Sequence, residues 1–207
     1  MAPPPEHPGD HAEPAIRQLS SWVVYRNPWM TLREDQVERL DGSQGIYAVI
    51  EKPDFALIIP AENNGFHMVE QYRYPTGRRM WEFPQGTFPN GRTGDPADLA
   101  RAELEEETGL RVGHLRHLGY LHCAHSMTGQ GFHVYLATDL HHGTPQPEAE
   151  EPDVRQTWMP RIELEHRIRN GDITDHSTLA AYTLLFLDEK SASQHRQPGP
   201  FLDRNMR

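Results

Sequence analysis

Glutamate fills four of the five positions from 103 to 107, inside a segment marked at both ends as a helix. Asp95-Pro96 supplies an N-cap followed by proline at the first helical position, and Asp98 sits in the first turn, where the helix dipole favours an acid. Gly109 follows Thr108 as the left-handed stop. The spacing therefore predicts a helix over 96–108. At 100° per residue, Glu103, Glu106 and Glu107 fall within an arc of about 100°, and Glu105 and Arg101 point about 160° away from Glu103. Leu99 lies on the side of the three glutamates, so part of that acidic face must be covered. Carboxylates one turn apart repel and weaken a helix. A cation offsets that repulsion best, and an oxygen-only donor set points to Mg²⁺ or Mn²⁺ rather than Zn²⁺.

The remaining pattern predicts strands. Trp22 to Tyr25, Met30 to Leu40 and Gly45 to Glu51 read as strands, and Phe55 to Ile59 is a continuous apolar run suited to a buried central strand. Asn63-Asn64-Gly65 then predicts a turn, after which Phe66, Met68 and Tyr72 fall on one face of a paired strand. Residues 86–94 read as a loop. Leu115 to Leu121, Gly131 to Thr138 and Val154 to Met159 are further strands. Two more helices are expected, over Pro160 to Asn170 and over Ser177 to Asp188, the latter with a stripe of Leu179, Tyr182 and Phe186. Strands in hairpin order with three helices fit an α+β fold better than a parallel βαβ fold. Of the 207 residues, 1–18 hold five prolines and are expected to be a disordered tail. Residues 19–188 are expected to form one domain and residues 189–207 a flexible C-terminal tail.

Composition removes several classes. Thirty acids against 20 bases leave a net charge of −10, which disfavours long nucleic acids as partners. One cysteine permits no intrachain disulfide and no multi-cysteine zinc site. No run approaches the ~20 apolar residues of a spanning helix, and the N-terminus has no basic and apolar leader. The expectation is a cytoplasmic protein without a membrane partner.

The segment from Glu82-Phe83-Pro84-Gln85-Gly86 to Leu110 resembles the Nudix box, G-x5-E-x7-R-E-U-x-E-E-x-G-U with U aliphatic. Glu103-Leu104-Glu105-Glu106-Glu107-Thr108-Gly109-Leu110 matches its tail at every specified position. There are two departures. The loop after Gly86 is two residues longer than the pattern, so Gly94 takes the place of the first glutamate. The box arginine falls on Ala102, with Arg101 one residue earlier. Flanking stretches, Glu70-Gln71-Tyr72-Arg73-Tyr74-Pro75, Trp81 to Gly86, Trp158-Met159-Pro160 and Ile168 to Ala181, resemble the ADP-ribose pyrophosphatase and nucleoside-diphosphate-sugar hydrolase branch. That branch usually has Ala where Gln85 stands.

The resemblance implies a Nudix α/β/α sandwich with a mixed sheet, preceded by antiparallel strands over 19–50 that serve a homodimer. It implies Mg²⁺-dependent hydrolysis of the diphosphate bond in ADP-ribose or a related nucleoside diphosphate sugar. Glu103, Glu106, Glu107 and the Gln85 carbonyl would hold the metal, with Glu106 and Glu107 catalytic. A general base is placed on the late acidic loop, with Glu151 first and Glu150 second. Arg73 would grip substrate phosphate, Glu82 would orient Arg73 or a ribose hydroxyl, Gly86 would border the substrate, and Trp29 and Tyr47 are candidates for base stacking. Two other readings stay open: a nucleotide sensor that does not hydrolyse, and a hydrolase of dinucleoside polyphosphates or RNA 5′ ends. His114, His117, His122, His125 and His133 crowd one region around Cys123, but their spacing matches no helix-borne ligand motif.

Overall fold

A computed structural model describes residues 14–88, 93–144 and 153–195. Three antiparallel strands come first: β1 (Ile16–Arg26), β2 (Thr31–Arg39) and β3 (Gln44–Glu51), in the order β1-β2-β3. The second sheet contains β4 (Phe55–Glu62), β5 (Gly65–Arg73), β6 (Arg78–Glu82), β7 (Gln85–Thr87), β8 (Leu110–His122), β9 (Gly131–His142) and β10 (Arg155–Pro160). Its order is β10-β5-β4-β9-β8, with β6 on β5 and β7 on β4. The β4–β9 pair is parallel and the others are antiparallel, so the sheet is mixed. Helices α1 (Pro96–Thr108), α2 (Arg161–Asn170) and α3 (His176–His195) complete the chain. This is the α+β sandwich expected from the sequence.

Strand β4 explains the layering. Alternate side chains of a strand point to opposite faces. Ala56 and Ile58 pack with Leu99, Ala100 and Leu104 of α1, whereas Leu57 and Ile59 pack with Leu164 of α2 and with Ala181 and Leu185 of α3. Covered on both faces, β4 reads as an unbroken apolar run. Asn63 and Asn64, at φ 50° and 58°, close the two-residue turn into β5. Both positions require left-handed backbone, which asparagine tolerates well.

The structure departs from the sequence reading where burial breaks periodicity. Gly65 to Val69 are all buried, because β5 lies between β4 and β10 and is covered on both faces, while Tyr72 is exposed. The single apolar face read from Phe66, Met68 and Tyr72 is therefore corrected. On α3 the buried positions are Ser177, Thr178, Ala181 and Leu185, whereas Phe186 is exposed. The true stripe is one position away from the one read, since small Thr178 and Ala181 let the helix approach the sheet closely. Strand β1 begins at Ile16, where Ile16, Arg17 and Gln18 pair with Arg39, Glu38 and Val37. Helix α3 runs on to His195.

The N-terminal sheet joins the rest through β3. Tyr47 donates its hydroxyl to the Ser126 carbonyl at 2.7 Å, and the Ile50 amide donates to the Met127 carbonyl at 2.8 Å. Its outermost strand, β1, is exposed along its whole length and carries Trp22, Val23, Val24 and Tyr25. No described helix is long and apolar enough to cross a membrane.

Candidate active site

The acidic helix starts and stops where its sequence dictates. Asp95 Oδ1 accepts from the Ala97 amide at 2.9 Å, Pro96 is the first helical residue, and Gly109 at φ 71° turns its amide back to the Glu105 carbonyl. Leu99, Ala100 and Leu104 anchor the helix in the core, and the Thr108 hydroxyl donates to the Leu104 carbonyl. With those residues held down, the helix cannot roll, and the direction in which each glutamate leaves it is set. Glu107 is buried at 4% exposure, Glu103 and Glu106 are half-buried, and Glu105, Arg101 and Ala102 face solvent. The division of the acids is the one expected from 100° spacing.

Glycine 86 meets this helix from β7. A Cβ at Gly86 would lie 2.2 Å from the Glu103 carboxyl carbon and Oε1. A side chain there would have to push the Glu103 carboxylate aside, and with glycine that carboxylate rests directly on the β7 backbone. Strand β7 is itself pinned, since Gln85 and Gly86 pair with Leu57 and Ala56 of β4, and the Ile58 amide donates to the Pro84 carbonyl. The Phe83 amide donates to Thr178 Oγ1 at 3.0 Å, which ties the same turn to α3.

A charged pair closes one side of this group. Arg73 donates from Nε and Nη2 to the two Glu82 oxygens at 2.9 and 2.7 Å, and Gln85 Nε2 donates to Glu82 Oε2 at 2.7 Å. Glu82 is buried, at 2% exposure. Burial pushes its carboxyl above the usual range, and the Arg73 guanidinium pulls against that. Gln85 Oε1 is buried without a hydrogen-bond partner among the described residues. Strands β5, β6 and β7 and helix α1 thus bring together Arg73, Glu82, Gln85, Gly86 and Glu103, residues spread over 31 positions of chain.

The other candidates lie elsewhere. Trp29 is 64% exposed and lines a shallow cleft of about 240 Å³ with Asn27, Met30, Glu51 and Lys52. The Tyr47 hydroxyl is committed to Ser126. Glu150 and Glu151 lie outside the described residues. Asp153 accepts from Arg79 Nη1 at 2.6 Å and from the Tyr72 amide at 3.2 Å. In the histidine-rich region, His117 and His133 hydrogen-bond at 3.2 Å across β8 and β9, and burial pushes the Cys123 thiol up, away from nucleophile chemistry. Sequence reasoning missed Asp54, which accepts from the Tyr120 hydroxyl at 2.9 Å and the Gly131 amide at 2.8 Å and so fixes the start of β9. Its partners are 66 and 77 positions away, and no local spacing signals them.

Comparison with known proteins gives two family matches. The nucleoside diphosphate sugar hydrolase N-terminal domain matches residues 16–50, and the NUDIX domain matches residues 52–180. An ADP-ribose pyrophosphatase of Mycobacterium tuberculosis is 34% identical over 172 residues, 82% of each chain. A CMP-5′-(N-acetyl-N-hydroxy-3-aminopropyl)phosphonate hydrolase of Streptomyces rubellomurinus is 30% identical over 181 residues, 86% of this chain and 84% of that one. The fold matches a crystal structure of an ADP compounds hydrolase at a TM-score of 0.74 and 21% identity, covering 90% of this chain and 99% of that one.

The Arg73–Glu82 pair makes a direct prediction. Arg73→Leu leaves the buried Glu82 carboxylate with Gln85 as its side-chain donor among the described residues and costs about 3 kcal/mol, the low end for a broken buried pair because Arg73 is partly solvated. Adding Glu82→Gln recovers most of that loss. Denaturant unfolding of both variants measures it, and equal losses in the single and double variants would contradict the pairing.

Proposed function

This chain belongs to the NUDIX family of pyrophosphohydrolases, and we propose that it hydrolyses the diphosphate bond of ADP-ribose or a related nucleoside diphosphate sugar with Mg²⁺. The observation that carries this reading is the Glu103 carboxylate seated on Gly86, on the helix face that also carries Glu106 and Glu107. The named activities of two relatives support the substrate class, since ADP-ribose and a CMP-linked phosphonate both present a nucleotide phosphate.

The residues fit a hard divalent cation. Their donors are all oxygen, one of the carboxylates is buried, and the absence of a Cβ at Gly86 lets the Glu103 carboxylate lie against the β7 backbone. Glu103, Glu106, Glu107 and the Gln85 carbonyl would hold the ions, which when bound screen the phosphate charge and make a bound water acidic. Arg73, oriented by its two hydrogen bonds to Glu82, would bind a phosphate oxygen. Glu151, with Glu150 as second choice, would take the proton of the attacking water. Water adds to one phosphorus, the bridging oxygen leaves on the other phosphate, and the products are a nucleoside monophosphate and a sugar phosphate. From ADP-ribose these are AMP and ribose 5-phosphate.

The reading includes a homodimer. Strand β1 is a long edge strand with apolar side chains exposed on both faces, a surface that a second chain covers well. Light scattering at micromolar concentration is expected to give twice the mass of one chain, and a monomer would contradict the dimer.

Turnover of ADP-ribose, sugar nucleotides and dinucleoside polyphosphates with Mg²⁺ tests the activity. ADP-ribose or a sugar nucleotide is expected to be cleaved fastest, and Glu106→Gln and Glu107→Gln each to abolish turnover with the fold retained. Gly86→Ala displaces only the flexible end of Glu103, so stability is expected to change little while kcat falls about 100-fold. Unchanged activity in all three variants would overturn the reading.

A further inference from the structure

At the end of β4 remote from Gly86, three strands bring metal-binding atoms to one corner. Glu62 closes β4, His67 lies near the start of β5, and His142 ends β9. Six residue steps along the strand separate Glu62 from Ala56, the partner of Gly86, which is about 20 Å. The corner is therefore separate from the acidic helix and does not depend on the proposed hydrolysis.

Its geometry suits an ion. One ligand atom from each residue lies within 4.8 Å of the other two. His67 Nε2 is 3.2 Å from Glu62 Oε2, and His142 Nε2 is 3.2 Å from both Glu62 oxygens. A tetrahedral zinc ion with bonds of about 2.0–2.1 Å sets its donors about 3.3–3.4 Å apart. Both Glu–His edges already stand close to that spacing. The two imidazole rings meet edge to face at 5.6 Å and offer Nε2 to the same carboxylate.

The surroundings hold the donors in place. His67 is buried, and its second nitrogen, Nδ1, lies 2.6 Å from the Gln156 side-chain amide. An outer partner on the far ring nitrogen is the feature that orients a metal-bound imidazole. The Trp158 indole N–H donates to the Glu62 carbonyl at 3.0 Å, and the Arg161 amide donates to the Asn64 carbonyl at 3.1 Å, so the β4–β5 turn is fixed from β10 and α2. Gly65 belongs to the same arrangement, because a Cβ there would meet the Met159 carbonyl at 2.6 Å. The His142 side chain is 61% exposed, which leaves one direction open to water.

We propose that Glu62, His67 and His142 bind a zinc-class divalent ion, with water as the fourth ligand. Two imidazoles and one carboxylate select zinc and its transition-metal neighbours over Mg²⁺ and Ca²⁺. On binding, the His67 ring proton resides on Nδ1, and the Gln156 amide turns so that its oxygen accepts it. The ion ties the exit of β9 to the β4–β5 turn and so raises the stability of the sheet corner.

The test titrates the full chain with ZnCl₂ under saturating Mg²⁺, measures retained zinc by elemental mass spectrometry after gel filtration, and locates it by anomalous scattering at the zinc edge. Wild type and Glu106→Gln are expected to retain about one zinc per chain, with the peak about 2.0–2.2 Å from Glu62 and both Nε2 atoms. His142→Ala removes an exposed ligand that the core does not need, so it folds and loses the zinc and the zinc-dependent rise in Tm. Gln156→Ala weakens zinc binding about 10–100-fold. Failure of the wild type to retain zinc overturns the proposal, as does equal retention by His142→Ala.

Discussion

The contact between the Glu103 carboxylate and the bare backbone of Gly86 is the constraint on which the arrangement around the acidic helix depends. It is the point where α1 touches β7, and it exists only because position 86 has no Cβ. Everything nearby holds the two sides of that contact still. Leu99, Ala100 and Leu104 fix the roll of α1, while backbone pairing to β4 and the Phe83–Thr178 hydrogen bond fix the path of β7. Like charges on one helix face are unfavourable in isolation. They persist here on a helix that Leu99, Ala100 and Leu104, on and beside that same face, lock into a core shared with β4 and β9.

Strand β4 is the common element of the molecule. Its Phe55 end carries β7 and, through it, Gly86, and its Glu62 end carries the corner shared with His67 and His142. The two ends differ in donor chemistry. One gathers carboxylates and amide oxygens, which suit hard cations; the other combines imidazole with carboxylate, which suits softer ones. A strand buried on both faces is the stiffest part of such a sheet, so the two groups sit on one rigid bar without sharing a side chain.

The acidic helix was legible residue by residue, because capping, the left-handed glycine and 3.6-residue spacing are local signals. So was β4, whose apolar run announces two covered faces. The reading failed where neighbours in space decide burial. His67 is polar yet buried in β5, since β10 lies alongside and the Glu62 carboxylate and Gln156 amide meet its two ring nitrogens. On α3 the sheet selects small residues that a hydrophobicity count passes over. Glu62 and His142 are 80 positions apart and meet only because β4 and β9 run parallel, a pairing no short spacing encodes. The Arg73–Glu82 pair was anticipated by type, but its two-pronged geometry and the burial of Glu82 required the fold.

The most direct measurement of the central claim is a crystal structure of the chain with Mn²⁺ and a non-hydrolysable nucleoside diphosphate sugar, using the manganese anomalous signal. The account predicts a manganese peak between the Gln85–Gly86 backbone and Glu103, Glu106 and Glu107, touching the diphosphate. A peak elsewhere, or a ligand bound away from Gly86 with the three glutamates in contact only with protein and solvent, would contradict it.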